Sequence, residues 1–230
     1  MVVCRIMNIR YVFTTRKNFN TILSFLILGV FLFVPPALFG GSTPVILAFG
    51  NSLTAGFGVP DAQSYPSRLQ NIITENGYPH KVVNGGVSGD TTAGGVRRIK
   101  WLMKHDPEIV ILELGANDGL RGLSLEEMES NLEQIISICK EGGAKVLLTG
   151  MRIPPNYGEK YTVEFEKTYI RLAEKHKLSL VPFFLEDVAG IREHTQPDGI
   201  HPLGSGYSIV VQTIWKYLKP LMDVGSKTKV

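Results

Sequence analysis

From Ser42 onward, short and almost wholly apolar runs alternate with longer stretches in which apolar residues recur every three or four positions. Val45–Phe49, Lys81–Val83, Ile109–Leu114, Lys145–Leu148 and Leu178–Val181 are too short for helices and rich in Val, Ile and Leu, as strands covered on both faces are. Tyr65–Glu75, Val96–His105, Leu125–Glu141, Phe165–His176 and Gly206–Leu218 carry the helical period, and Gly142-Gly143 stops the third of them. Strands interspersed with helices predict an α/β domain with a parallel sheet of about five strands and helices on both sides. Right-handed crossovers then place loops 50–58, 84–95 and 115–123 at the carboxyl ends of neighbouring strands, where open α/β sheets bind ligands. No internal repeat, low-complexity tract or linker interrupts the pattern, so residues 42–230 predict a single domain.

Residues 1–41 follow different rules. Arg5, Arg10, Arg16 and Lys17, with no acidic residue among them, precede the mostly apolar Phe19–Phe39, and Gly40, Gly41 and Ser42 follow. A core helix needs a polar face and this run has almost none. It predicts a signal peptide or N-terminal membrane anchor, and hence a periplasmic or extracellular protein that touches the membrane through this segment if it is uncleaved. Pro35-Pro36 disturbs the end of the run, and no lipoprotein-type cysteine follows it.

Charge and cysteine content narrow the picture further. The net charge is +3, but removing the four leader cations from 24 Lys+Arg leaves 20 against 21 Asp+Glu, a net of −1. The excess positive charge belongs to the leader and gives no ground for nucleic-acid binding. Cys4 precedes the apolar run, which leaves Cys139 as the one cysteine after it. That excludes an intramolecular disulfide or a thiolate zinc cluster in the exported part. Beside Ile135, Ile136 and Ile138, Cys139 reads as a small buried side chain.

Candidate chemistry gathers in the loops. Ser52 follows a strand in Gly50-Asn51-Ser52-Leu53-Thr54, at the entry to a helix where backbone N–H groups are free. Such a serine is either an ordinary helix N-cap or a nucleophile beside oxyanion donors. Neither a Gly-Lys-Ser/Thr phosphate loop nor a dinucleotide Gly-x-Gly-x-x-Gly pattern is present. The loop Asn84–Gly95 allows close backbone approach, and Asn117 in Leu114-Gly115-Ala116-Asn117-Asp118 offers an amide donor or an Asx turn. In Asp198-Gly199-Ile200-His201 a carboxylate can reach one ring nitrogen and leave the other for a serine; a purely local hydrogen bond or half of a metal site are the rival readings. His194, beside Arg192 and Glu193, reads as part of a solvated loop, while His80, His105 and His176 sit near element boundaries where surface or capping roles are the default. If Ser52, His201 and Asp198 meet, the chain is a serine hydrolase.

Taken together, Gly50-Asn51-Ser52-Leu53-Thr54, Ser88-Gly89-Asp90-Thr91, Leu114–Asp118 and Asp198–Pro202 resemble the four ordered blocks of the SGNH/GDSL hydrolases. The chain is most similar to their exported bacterial branch of thioesterase I/lysophospholipase L1 and arylesterases, over residues 45–218. The resemblance implies a three-layer αβα flavodoxin-like fold, with no metal and no cofactor. It implies Ser52 as nucleophile, His201 as general base, Asp198 as its orienter, and an oxyanion hole from the Ser52 and Gly89 N–H groups and the Asn117 amide. The implied substrates are small acyl esters or thioesters, lysophospholipids and aryl esters among them. Leu120, Leu123, Ile153, Pro154, Pro155 and Tyr157 are candidates to line the acyl groove. A carbohydrate O-deacetylase with the same apparatus and a non-catalytic envelope binding protein are the alternatives. One departure stands out: the family's usual Asp before the nucleophile is Asn51, which accepts hydrogen bonds but carries no charge.

Overall fold

The computed structural model describes residues 43–226, so the leader lies outside the described residues. Five strands, β1 (Val45–Gly50), β2 (Lys81–Gly86), β3 (Pro107–Glu113), β4 (Lys145–Thr149) and β5 (Ser179–Val181), form one parallel sheet in the order β2-β1-β3-β4-β5. The helices are α1 (Ser52–Ala55), α2 (Tyr65–Glu75), α3 (Thr92–Leu102), α4 (Ala116–Leu120), α5 (Leu125–Glu141), α6 (Glu159–His176) and α7 (Gly204–Ser226). This strand order is that of the flavodoxin-like fold which the resemblance implies. The chain moves outward from β1 to β2 and then crosses back to β3, which makes the carboxyl ends of β1 and β3 a topological switch point. No helix among the described residues is long and apolar enough to cross a membrane.

The apolar pattern explains the layers. Ile46–Phe49 on β1 and Ile109–Leu112 on β3 are fully buried, each Val, Leu, Ile or Phe among them contributing roughly 1.5–3 kcal/mol on leaving water. Helix α5 buries Met128, Leu132, Ile135, Ile136 and Cys139 at helical spacing. It starts at Ser124, whose side chain accepts the Glu127 N–H, and Glu126 and Glu127 in its first turn suit the helix dipole. Burial pushes the Cys139 thiol up to about 12, so it acts as a packing group rather than a nucleophile.

Several boundaries differ from the sequence reading, each for a local reason. Helix α3 starts at Thr92 rather than Val96, because the Thr91 hydroxyl accepts the Gly94 N–H and caps the glycine-rich stretch. Helix α7 runs past Leu218 and through Pro220. Met222 beyond the proline is 1% exposed, and that burial offsets the backbone hydrogen bond proline removes. Helix α6 begins at Glu159, ahead of the predicted Phe165. His80 is buried instead of lying at the surface; burial lowers its pKa, and Glu108, 3.5 Å from Nε2, pulls the other way.

The most consequential difference is at β2, where Asn84-Gly85-Gly86 continues the strand instead of forming a loop. Gly50 pairs with Gly86 on one side and Glu113 on the other, so three strands end at one level. A Cβ at position 86 would stand 2.2 Å from the Ala55 nitrogen and 2.7 Å from its Cα. The missing side chain is what lets α1 lie against the strand. Because backbone rather than a flexible side chain blocks the space, Gly86→Ala is expected to cost about 3 kcal/mol. A lowered midpoint in chemical denaturation checks this, and the displaced α1 makes a parallel loss of activity the expected companion.

Candidate active site

Strand β1 delivers the chain into a tight turn at the switch point. The cap of α1 is Asn51, whose Oδ1 accepts the Leu53 N–H at 2.9 Å, so Ser52 is the first helical residue and not the cap. Its hydroxyl lies 2.8 Å from His201 Nε2, and His201 Nδ1 lies 2.7 Å from Asp198 Oδ2. The Asp-x-x-His pair is therefore neither an isolated local contact nor, among the described residues, part of a cluster of three or more metal-ligating side chains. Asp198 Oδ1 accepts the Ile200 and His201 N–H groups at 2.9 and 3.0 Å, in a turn that Gly199 completes at φ +73°. Partial burial pushes the Asp198 pKa up, but these backbone bonds and the imidazole outweigh it and hold the carboxyl below its usual value. An ionised Asp198 accepts a hydrogen bond from Nδ1–H, which keeps that proton on Nδ1 and leaves the Nε2 lone pair facing the serine hydroxyl.

His201 reaches Ser52 because its loop is stapled to the loop that follows α1. The Gln196 amide donates to the Phe57 and Pro202 carbonyls at 2.8 and 3.0 Å, and the Gln196 N–H donates to the His201 carbonyl at 2.7 Å. The Phe57 ring lies 4.7 Å from the imidazole, centre to centre, and fixes one of its faces. His194 takes no part: its Nδ1 meets the Ser205 hydroxyl at 3.2 Å.

The other two loops converge from β2 and β3. Gly89 sits at φ +80°, and among the described residues neither its N–H nor that of Ser52 meets a protein acceptor. Asn117, on α4, donates one amide hydrogen to the Asp90 carbonyl at 2.9 Å, which ties its loop to the Gly89 loop. This is a cross-loop bond and not an Asx turn, and the second amide hydrogen is left over. Arg121 adds a bond to the Gly89 carbonyl at 2.9 Å.

Three residues that organise the site escape sequence reasoning. Arg98 donates to the carbonyls of Gly50 and Gly85 and to Asp90 Oδ2, and its guanidinium lies 4.3 Å from the Phe49 ring centre. It ties the strand-end carbonyls of β1 and β2 to Asp90, and the Gly50 carbonyl also accepts the Val87 N–H at 3.0 Å. Asp118 is buried and accepts both the N–H and the hydroxyl of Thr92, at 2.9 and 2.6 Å, which anchors the start of α3. Burial raises its pKa against those bonds. Glu113, fully buried at the end of β3, binds Asn51 and Thr54. The available signal for Glu113 was a lone carboxylate in the otherwise apolar run Ile109–Leu114.

A cavity of about 440 Å³ adjoins this constellation, bounded by Leu53, Ala116 and Ile200, chain neighbours of Ser52, Asn117 and His201. Of the predicted groove residues, Leu120, Ile153, Pro154 and Pro155 line it, joined by Phe183 and Leu185 from the loop after β5. Leu123 is instead 42% exposed, and Tyr157 turns away to donate to the Leu120 carbonyl at 2.6 Å. Tyr157 borders a separate surface groove with Tyr161 and Glu129, which none of Ser52, Asp198 and His201 lines.

Comparison with known proteins places this architecture. The model of the GDSL-like lipase/acylhydrolase family matches residues 48–209. Esterase TesA of Pseudomonas aeruginosa is 40% identical over 178 residues, 77% of this chain and 89% of that protein. Thioesterase 1/protease 1/lysophospholipase L1 of Escherichia coli is 35% identical over 211 residues, 90% of this chain and 98% of that protein. A crystal structure of TesA superimposes with a TM-score of 0.75 at 40% identity, covering 77% of this chain and 99% of that one. The matched span runs from within β1 into α7 and contains every loop that converges on Ser52, so the chain belongs to the GDSL-like lipase/acylhydrolase family.

Proposed function

We propose that this protein is an exported serine esterase that hydrolyses carboxylic esters or thioesters through an acyl-enzyme. The observation that carries the reading is the unbroken hydrogen-bonded series Ser52 Oγ–His201–Asp198 at the switch point of the sheet. A serine hydroxyl is a weak nucleophile at its own pKa, and an imidazole within hydrogen-bond reach is what makes it competent. His201 takes the Ser52 proton as Oγ attacks the acyl carbonyl, and Asp198 holds the imidazole in the required tautomer and stabilises the imidazolium. The oxyanion that forms is met by the N–H groups of Ser52 and Gly89 and the spare Asn117 amide hydrogen. His201 then protonates the departing alcohol or thiol, and in the second half-reaction deprotonates the water that releases the acid.

The apolar cavity beside Ser52 favours an extended acyl chain over a bare acetyl group, and with it lysophospholipids, fatty acyl thioesters and hydrophobic aryl esters. The relatives' names run in the same direction. An exported enzyme meets lysophospholipids more readily than cytosolic thioesters. A fluorophosphonate probe is expected to label the wild type at Ser52, and parallel assays with lysophosphatidylcholine, palmitoyl-CoA, p-nitrophenyl acetate and an acetylated sugar rank the substrates. Absence of Ser52 labelling would point to a binding protein, and a preference for the sugar to a deacetylase. Leu120→Trp fills the cavity from its rim, so hydrolysis of p-nitrophenyl decanoate is expected to fall at least about tenfold relative to the acetate. An unchanged ratio of the two rates would remove the cavity from the acyl path.

A further inference from the structure

Glu113 is a buried titratable group for which the mechanism above has no use. It stands where β3 ends, in register with Gly50, and is 0% exposed. Oε1 accepts from Asn51 Nδ2 at 2.7 Å, while Oε2 accepts the Asn51 N–H at 3.1 Å and bonds the Thr54 hydroxyl at 2.8 Å. The residues on either side of Ser52 in α1 and its cap are thus tied to one carboxyl group of the neighbouring strand. Gly50 makes room for this, since a Cβ there would stand 2.0 Å from Thr54 Oγ1 and 2.5 Å from Glu113 Oε2.

No cation is paired with Glu113 among the described residues, and the titratable groups that face it, Tyr65, Tyr169 and Tyr207, are phenols whose own pKa values burial raises. Burial pushes the carboxyl up to about 8, against the hydrogen bonds from Thr54 and Asn51. Either protonation state suits the site, because a protonated Oε2 can donate its hydrogen bond to the Thr54 hydroxyl oxygen while both Asn51 donors keep an acceptor.

The side chain of Asn51 has two ends with opposite demands. Oδ1 accepts the Leu53 N–H at 2.9 Å and lies 3.4 Å from Ser52 Oγ, so Nδ2 must find its acceptor elsewhere. Glu113 Oε1 is that acceptor. We propose that Glu113 is a positioning residue for the reaction: it holds Asn51 with its oxygen toward the nucleophile and its amide hydrogens toward β3, and so sets the place of Ser52 Oγ opposite His201. This rests on Ser52 being the nucleophile. It also assigns Asn51 a definite purpose, as the amide half of an amide–carboxyl pair.

The pair makes a discriminating test possible. Glu113→Gln preserves size and burial, but its NH2 must face either Asn51 Nδ2 or the Asn51 N–H, a donor against a donor in both orientations. The double substitution N51D/E113Q reverses the polarity of the contact and restores complementarity: the new amide donates to the new carboxylate, whose other oxygen still accepts from Leu53. Wild type, E113Q and N51D/E113Q are compared for fluorophosphonate labelling rate, kcat and KM on p-nitrophenyl acetate, and thermal midpoint. Labelling rate and kcat of E113Q are expected to fall on the order of 10- to 100-fold with KM within about twofold, as for a misplaced reacting group. The double variant is expected to recover both to within about threefold, the signature of coupled neighbours. If E113Q reacts as fast as wild type, or if it is slow and N51D/E113Q is equally slow or unfolded, Glu113 serves only the fold and the proposal is overturned. Failure of the wild type itself to label at Ser52 overturns the esterase reading instead, so the two failures are distinct.

Discussion

Replacing Ser52 with Ala is expected to abolish ester hydrolysis while leaving the fold intact. The base depends on the hydroxyl, His201 Nε2 lying 2.8 Å from it, and β1, β2 and β3 end at one level beside it. Removing the nucleophile of such a unit costs about a million-fold in kcat in a well-studied serine protease, because the remaining members cannot act without it. The structural cost is small by comparison. Ser52 is half-buried, and the cap that holds α1 belongs to Asn51, so the loss is about 1 kcal/mol at most. Burst and steady-state assays with p-nitrophenyl acetate, alongside thermal melts, check both halves of the expectation. Hydrolysis by S52A at more than about a hundredth of the wild-type rate would show that another group carries the chemistry.

Asp198→Asn is expected to give the next largest loss, and its size depends on exposure. A buried aspartate in this role is worth about 10⁴ in kcat, since the amide NH2 turns toward Nδ1 and drives the imidazole into the tautomer that cannot accept the serine proton. The Asp198 side chain is 39% exposed, whereas that of His201 is 17% exposed. Water therefore screens the contact and offers Nδ1 a partial substitute partner. A loss of about 10² to 10³ in kcat, with KM little changed, is the corresponding expectation. The Asn oxygen can still accept the Ile200 and His201 N–H groups, so the turn survives and the effect is chemical. A D198N enzyme within threefold of wild type would mean that Gln196 and Phe57 alone orient the histidine.

These two expectations draw on different kinds of information. Ser52 stood out in the chain because it follows a buried strand between small residues, a context set by near neighbours. His201 and Asp198 stood out as a pair for the same reason: three residues and one glycine suffice to bring a carboxylate to an imidazole. Their meeting with Ser52 depends on contacts far apart in the chain, chiefly the Gln196 amide on the Phe57 carbonyl. Nothing in the composition of either loop encodes that bond. The ordered resemblance of four motifs supplied the assignment that local reasoning lacked.

Glu113 shows the opposite case. As a residue in sequence it is one carboxylate ending an apolar run, and a solvated strand end is the ordinary fate of such a group. It becomes an anchor because strand register sets it beside Gly50, with Asn51 and Thr54 as donors. Likewise Asn84-Gly85-Gly86 has the composition of a turn, and pairing with β1 makes it strand. Hydrophobic period and turn chemistry are short-range properties. They were enough to specify five strands, the five longer helices, the α/β class, and the segments that hold the chemistry, while the short helices α1 and α4 fall where loops were expected. Register, the packing of α1 against Gly86, the burial of Glu113 against Asn51 and Thr54 and the shape of the cavity that Leu53 lines come from residues that become neighbours only when the sheet assembles. Close packing and the need to pair every buried polar group then leave a single arrangement.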